Sequence, residues 1–419
     1  MVDSVLPPAD TRRIQALTCM LFFLFAMTTD AVGSILPSLI AEFGLSLSAA
    51  SAFHYVPMVT IALGGIGLGF LSDRYGRRVT LVLGLLLYGS GSLLFVFGNS
   101  FGFFVVLLGV AGVGVSVFKV GALALIGDFT RSQQQHTATM NTVEGFFAVG
   151  AIVGPALVAT LLARGLSWKY LYLAAAGICC LLTVAALLVR YPETRRTTTA
   201  PALLPQTLGL LKNRYALGFS ALIMLYVAVE VAIYVWMPTW LAQYTGSAAW
   251  LATYALTLFF ALRAAGRFIG VWLLQRHAWD TVLALLSVAI LLCFAGSLAG
   301  GPAVGVWLLP LSGLFMSVLY PTLNSKGISC FPRSEHGAIA GLILFFTAFA
   351  AAAGPLAMAA VSDGFGDIRY GFMLATAFAV LLCAGLLGNA VYKPAAARLE
   401  AERTERVAPP PGGRRQAGP

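Results

Sequence analysis

The chain has 419 residues, of which 59% are hydrophobic and only 10% charged, with 26 Lys and Arg against 16 Asp and Glu for a formal net charge of +10. A mean hydropathy of +0.88 is far above what a soluble chain of this length needs to fill its core, which excludes a soluble enzyme or binding domain. Nucleic acid is not expected as a partner either, because the basic residues gather in alternate loops, as they do when a bilayer fixes a chain's orientation.

Apolar windows long enough to cross about 30 Å of hydrocarbon at about 1.5 Å per residue predict twelve transmembrane helices. They are spans 1 to 12: residues 16–40, 52–71, 79–98, 103–127, 138–163, 169–190, 216–243, 250–274, 281–299, 304–325, 337–361 and 370–391. The fold class is therefore an all-α membrane protein, and the continuous runs exclude a β-barrel, whose segments alternate over about ten residues. Span 1 is one of a series and no small-residue cleavage site follows it, so it is read as a spanning helix and not as a cleaved signal. A polar, Pro- and Thr-rich stretch, 191–215, divides the spans six and six, with a short surface helix expected around 204–212. The expected organisation is an N-terminal six-helix half (1–190), a cytoplasmic linker (191–215), a C-terminal six-helix half (216–392) and a disordered cytoplasmic tail (393–419).

One set of loops holds Arg12, Arg13, Arg74, Arg77, Arg78, Arg131, Arg190, Arg195, Arg196, Lys212, Arg214, Arg276, Lys326, Arg333 and Lys393; the other holds Arg164, Lys169 and Arg369. By the positive-inside rule both termini are cytoplasmic, in a multi-pass protein of a bacterial-type inner membrane. Five of the six cysteines lie in apolar spans and Cys330 in a loop, which gives no disulfide framework. The histidines are scattered at 54, 136, 277 and 336 and no GxxxxGK[ST] loop is present, so neither a metal nor a nucleotide cofactor is expected and an ATP-driven pump is not indicated.

Residues 69–78, GFLSDRYGRR, place Asp73, Arg74, Arg77 and Arg78 directly behind a glycine-rich apolar run. The two halves also repeat at an offset near 201. LPSLIAEFG from 36 corresponds to MPTWLAQYTG from 237, Ser116-Val117 to Ser317-Val318, and Gly154-Pro155 to Gly354-Pro355. Repeated halves mark a secondary transporter that binds its solute near the midplane, between the repeats. Gly69, Leu71, Ser72, Asp73, Arg74, Gly76, Arg77 and Arg78 resemble the signature loop of the major facilitator superfamily, G-x-L-[SA]-D-R-x-G-R-[RK], in its place between spans 2 and 3. YVAVEVAIYVW (226–236), NTVEGFFAVGAIVGP (141–155) and SVLYPTLNS (317–325) are similar to the fucose/proton symporter family within it.

The resemblance implies two six-helix halves that rock about a central site. It also implies a conformational latch of Gly69, Asp73, Arg74, Gly76, Arg77 and Arg78, which Glu144 is expected to join. A positive-inside anchor would explain the arginines but not Asp73 or the glycines. Each charge inside a span costs several kcal/mol unless it faces a cavity or a partner. Asp30 in span 1 and Glu230 in span 7 stand at repeat-equivalent depths, and Lys119 in span 4 lies where its side chain could reach Asp30. An Asp30–Lys119 pair serves either as a packing contact between helices or as a proton-coupling switch. The resemblance implies a carboxylate in span 1, which Asp30 matches, and another in span 4, where Lys119 departs from it.

Tyr226, Glu230 and Tyr234 share one face at a spacing of four; with Tyr320 and Asn324 they form the expected solute wall, while Trp240 and Tyr244 read as an interfacial belt. Arg263 is deep enough to pair with Glu230 or to bind an anion. Gly150, Gly154 and Pro155 partly match the glycine pattern of antiporters. The reading is a monomeric transporter of a small polar solute, a sugar first, with the proton as coupling ion and the lipid bilayer as its surroundings. Export of drugs or organic anions and uncoupled uniport stay open at this point, and a membrane-embedded enzyme or sensor finds no nucleophile or metal constellation to support it.

Overall fold

The computed structural model describes residues 8–68, 70–130, 133–191, 209–332 and 335–400. The regular structure of these residues is helical: α1 (Pro8–Thr29), α2 (Val32–Phe43), α3 (Leu47–Ala50), α4 (Ala52–Gly67), α5 (Phe70–Tyr75), α6 (Arg77–Leu94), α7 (Phe101–Phe129), α8 (Gln133–Ala163) and α9 (Lys169–Leu188) in the N-terminal segment. The C-terminal segment follows with α10 (Arg214–Leu241), α11 (Ala249–Thr253), α12 (Ala255–Arg276), α13 (Trp279–Met316), α14 (Leu319–Ser329), α15 (His336–Phe365) and α16 (Ile368–Tyr392). Residue types at the ends explain several boundaries. Ser100, Asn213 and Asp367 accept hydrogen bonds from the first amides of α7, α10 and α16, and Gly44 and Gly366 close α2 and α15 in the left-handed region. The expected surface helix around 204–212 falls mostly outside the described residues, as does the tail beyond residue 400.

Among the described residues, eleven helical stretches are long and apolar enough to cross a membrane, and the chain is a multi-pass membrane protein. Expected spans 9 and 10 fall in a single stretch, Trp279–Ser329, of 51 residues. A straight helix of that length would be about 77 Å long, more than twice the hydrocarbon thickness. Gly301 breaks it, with φ 62° and ψ −161°, immediately before Pro302. A Cβ on Gly305 would stand 3.7 Å from Cβ of Ser297, although residues eight apart on a straight helix are about 12 Å apart. The chain therefore doubles back at Gly301.

One further boundary differs from expectation in a way that bears on the site. Span 1 starts earlier and is interrupted at Asp30–Ala31, between α1 and α2. The helix that carries span 5 begins at Gln133, but its apolar stretch is Ala138–Ala163, as expected, and Glu144 lies inside it.

Small residues let helix backbones touch, as they do where lipid offers no hydrophobic drive to association. A side chain on Gly154 would strike the carbonyl of Met27, so α8 lies directly on α1; a Cβ added to Gly354 would stand 3.4 Å from Ala228 Cα in the equivalent contact of α15 on α10. Likewise Gly64 and Ser116 join α4 to α7, and Gly266 and Ser317 join α12 to α13 and its following turn. These contacts repeat at an offset of 200 to 202 residues, so the sequence repeat is also a packing repeat.

The loop face, which carries residues 74–78 and the end of α7, is opposite the hairpin at 44–46. Among the described residues, the hydrogen bonds between the two segments lie toward that opposite face. Leu47 N and Ser48 N donate to the Asp363 carboxylate at 2.9 and 2.8 Å. His54 Nε2 lies 3.2 Å from the Ala351 carbonyl, and Thr160 Oγ1 lies 3.3 Å from Tyr254 OH. A side chain on Gly33 would strike the Tyr234 carbonyl, so α2 and α10 meet backbone to backbone. The opposite face is held shut by these contacts.

Candidate functional site

The signature loop forms a tight corner. Gly76 has φ 85°, which L side chains rarely adopt and which the chain needs to turn from α5 into α6. Arg77 is buried, and its guanidinium grips Asp128 at the end of α7, Nε to Oδ2 at 2.7 Å and Nη2 to Oδ1 at 3.4 Å. Arg78 Nη2 donates to the Leu187 carbonyl at the end of α9, 2.6 Å away, and Arg74 is exposed beside the ring of Tyr75. These arginines thus tie α6, α7 and α9 within the N-terminal segment. Gly69, Arg131 and the Asp73 side chain lie outside the described residues.

Asp128 was missed by the sequence reading. Its signal is an acid that closes an apolar run on the same side as a basic loop.

Between the segments, charged residues from four long helices converge. Arg263 Nη2 on α12 pairs with Glu230 Oε1 on α10 at 2.6 Å. Tyr226 OH, one turn before Glu230, stands 2.9 Å from the same carboxylate oxygen and 2.9 Å from the Met316 carbonyl. That carbonyl is available because the helix is interrupted by a turn at Ser317–Val318, which removes its usual amide partner. Asp30 lies at the α1–α2 interruption, within electrostatic range of Arg263, Glu230 and Lys119. Interrupted helices of this kind commonly supply the polar sites of transporters.

Lys119 does not close an ion pair with Asp30. Its ammonium sits 4.6 Å from the ring centre of Phe25 and 5.8 Å from that of Phe22 on α1, a cation–π arrangement. Glu144 lies within electrostatic range of Lys119 and of Tyr320. Lys119 is therefore set between two carboxylates, one on each neighbouring helix, with aromatic faces beside it.

The expected solute wall is partly engaged by the protein itself. Tyr226 is fully buried and shared between Glu230 and Met316. Tyr234 is half-buried, with its ring 5.7 Å from His54 and 6.2 Å from Phe260. Tyr320 faces Tyr226 at 6.4 Å and hydrogen-bonds Thr347, and Asn324 is half-buried one turn on. Trp236 and Trp240 point into the protein. The Trp236 indole donates to the Pro355 carbonyl at 3.0 Å. Trp240, 2% exposed, stacks on Phe372 at 4.4 Å and so is not the interfacial residue expected from sequence. Gly150 and Gly154 serve the contact of α8 with α1, where added side chains would meet the Phe23 and Met27 carbonyls.

The groups assembled here are hydrogen-bonding and charged side chains held together inside the protein, which in an apolar surrounding requires partners such as those described. No group of His, Cys, Asp and Glu among the described residues could hold a metal ion.

Comparison with known proteins agrees with this architecture. The chain is 27% identical to the 4-hydroxybenzoate transporter PcaK of Pseudomonas aeruginosa over 187 residues, 44% of this chain and 40% of that transporter's length. It is 25% identical to the L-fucose-proton symporter of Escherichia coli over 351 residues, 75% of this chain and 79% of that protein. It is 24% identical to a glucose/galactose transporter of Brucella abortus over 386 residues, 88% and 92% of the two chains. Among solved structures, the nucleoside transporter NupG aligns with a TM-score of 0.75 at 13% identity over 90% of this chain and 99% of its own. A bacterial homologue of the lysosomal transporter Spinster aligns at 0.70, with 15% identity, over 95% and 98%. The Escherichia coli fucose:proton symporter aligns at 0.59, with 21% identity, over 89% and 97%. These likenesses carry the fold. The family model described as Major Facilitator Superfamily matches residues 18–355, most of the chain, and the chain belongs to this superfamily of transporters, which move small solutes across membranes and are not enzymes.

Proposed function

We propose that the protein is a twelve-helix transporter of two six-helix halves, 1–190 and 216–392, joined by 191–215, which couples movement of a small polar solute to that of a proton. The observation that carries coupling is the placement of Lys119 between Asp30 and Glu144 without a closed pair, while Glu230 and Arg263 are closed on each other. Asp30 can therefore gain or lose a proton as Lys119 moves toward or away from it, and a change of access would drive that shift. A twelfth crossing follows from the reversal at Gly301, and the repeated packing contacts support two equivalent halves.

The concentration of basic residues on the loop face supports an inner-membrane orientation with both termini cytoplasmic. In that orientation the side held by the contacts between the segments is external. Gly69, Asp73, Arg74, Gly76, Arg77, Arg78 and Glu144 would form or adjoin the latch that closes the cytoplasmic side in the alternate state.

A sugar is the solute that Tyr226, Glu230, Tyr234, Tyr320 and Asn324 would accommodate, through hydroxyl hydrogen bonds and ring faces. The matches to the fucose and glucose/galactose transporters span 79% and 92% of those proteins and support this choice. A second reading, an organic anion, is favoured by the unpaired ammonium of Lys119 beside the rings of Phe22 and Phe25.

Uptake into proteoliposomes tests all of this with a panel of neutral sugars, aromatic carboxylates and cationic dyes, with and without a pH gradient. Accumulation of a sugar that a protonophore abolishes is the expected result. Accumulation of a carboxylate and no sugar would select the second reading, and equal uptake with and without the gradient would remove proton coupling.

A further inference from the structure

The contacts that shut the opposite face use two polar side chains to which no sequence motif assigns a role. Asp363 stands two residues before the end of α15 and is exposed. Its two carboxylate oxygens accept from successive amides, Leu47 N and Ser48 N, at the start of α3 in the other segment. Such amides have no partner within their own helix and carry partial positive charge, so a carboxylate suits them. Ser46 accepts from the next amide, Ala49 N, at 3.2 Å. Three successive donors are thus satisfied, two of them by the other segment. At the water-facing edge these amides could be hydrated instead, so the contact can be remade in each cycle.

His54 lies deeper, on α4, and is 2% exposed. Pro355 has no amide hydrogen, which leaves the carbonyl four residues earlier, that of Ala351, without its intrahelical donor. His54 Nε2 stands 3.2 Å from it and takes the donor's place, with the imidazole edge against Tyr234. In an environment poor in water an unpaired carbonyl is costly, so this contact holds α4 to α15 where Asp363 holds α3 to α15.

We infer that Asp363 and His54 are positioning residues of the transport cycle: together they hold the opposite face shut and set the balance between the two access states. The inference needs alternating access only. It does not depend on which solute moves or whether a proton accompanies it. Because His54 touches Tyr234, separation of α4 from α15 also frees one ring of the candidate solute wall.

The test is a distance measurement by pulsed electron spin resonance on the full chain in lipid nanodiscs. Spin labels are carried at Arg164→Cys and Ser247→Cys, exposed positions at the opposite face on different segments, after replacement of the native cysteines. Asp363→Asn should raise the ratio of the open to the closed population about tenfold, the lower end for hydrogen bonds to a charged group at an exposed site. His54→Phe, which keeps a ring but loses the donor, should shift it in the same direction, and His54→Gln, which keeps a donor, should stay nearer wild type. Asp367→Asn is the control: that carboxylate lies at the same face but caps its own helix through Arg369 N at 2.8 Å, and the distribution should not move. Unchanged distances in both folded variants, Asp363→Asn and His54→Phe, would overturn the inference. So would a shift in Asp367→Asn as large as that in Asp363→Asn, since it would mean that any charge lost at this face opens it.

Discussion

Replacing Arg263 by methionine removes one member of the closed pair and leaves the Glu230 carboxylate in the protein interior with Tyr226 alone. Two unit charges about 4 Å apart attract by about 4 kcal/mol at an effective dielectric near 20. The hydrogen bond from Tyr226 remains, and the side chains of Arg263 and Glu230 are 22% and 9% exposed, so water reaches the guanidinium end and softens the loss. The expected destabilisation is therefore about 3 kcal/mol, at the lower edge of the range for a broken buried pair. Glu230→Gln should cost a similar amount, because it strands a guanidinium whose Nε already lacks a partner. The double variant Glu230→Gln/Arg263→Met should return to within about 1 kcal/mol of wild type. Unfolding of the four proteins in one detergent at one pH, followed by tryptophan fluorescence, gives the coupling energy from the cycle. A coupling below about 0.5 kcal/mol, within the range of independent sites, would refute the view that these residues act as one unit.

Three further outcomes follow from the same coordinates. Gly154→Ala should lower stability by about 1–3 kcal/mol, since its methyl group would meet the Met27 carbonyl, whereas Gly145→Ala, with open space around it, should be neutral or slightly stabilising through helix propensity; thermal unfolding of both variants distinguishes a packing glycine from an idle one. Arg77→Met should destabilise by about 3 kcal/mol by stranding Asp128, and Arg77→Met/Asp128→Asn should recover most of it. Asp30→Asn/Lys119→Met should still exchange solute across equal concentrations in proteoliposomes yet fail to accumulate it on a pH gradient; accumulation at the wild-type level would move coupling to Glu144 or Glu230.

The spans, the signature loop and the repeat were legible because each rests on local chemistry: apolar length, a glycine-bounded cluster of charge, and small residues returning at one offset. The start of α8 was not, because it begins with the polar residues Gln133, Gln134 and Gln135, which hydropathy assigns to a loop although they continue the helix. Trp240 read as interfacial because aromatic residues near a span end often are; its burial against Phe372 depends on the angle at which α16 crosses α10, which no local pattern encodes. The meeting of Arg263 with Glu230 could be expected from depth alone. The placement of Lys119 over Phe25 instead of against Asp30 could not, since it depends on tertiary packing, the way α7 sits beside α1. Asp363 and His54 were invisible for the same reason: their partners are backbone atoms some 300 positions away.

Two helix contacts in this protein are made to carbonyls that a proline has released. Pro355 frees the carbonyl of Ala351 for His54. Pro238 frees that of Tyr234, which lies against Gly33. A carbonyl belongs to the backbone, so the accepting site survives any substitution of the side chain that bears it. At such a joint the chain must keep the proline and the donor, or the glycine that allows close approach, while residue 351 or 234 is free to vary as far as the joint is concerned. Mutational tolerance should therefore be lopsided across each helix interface, strict on the donor's helix and at one proline, permissive at the acceptor. That asymmetry would let the cavity face of the same helix change its side chains, and with them its solute, without loosening the frame that moves it.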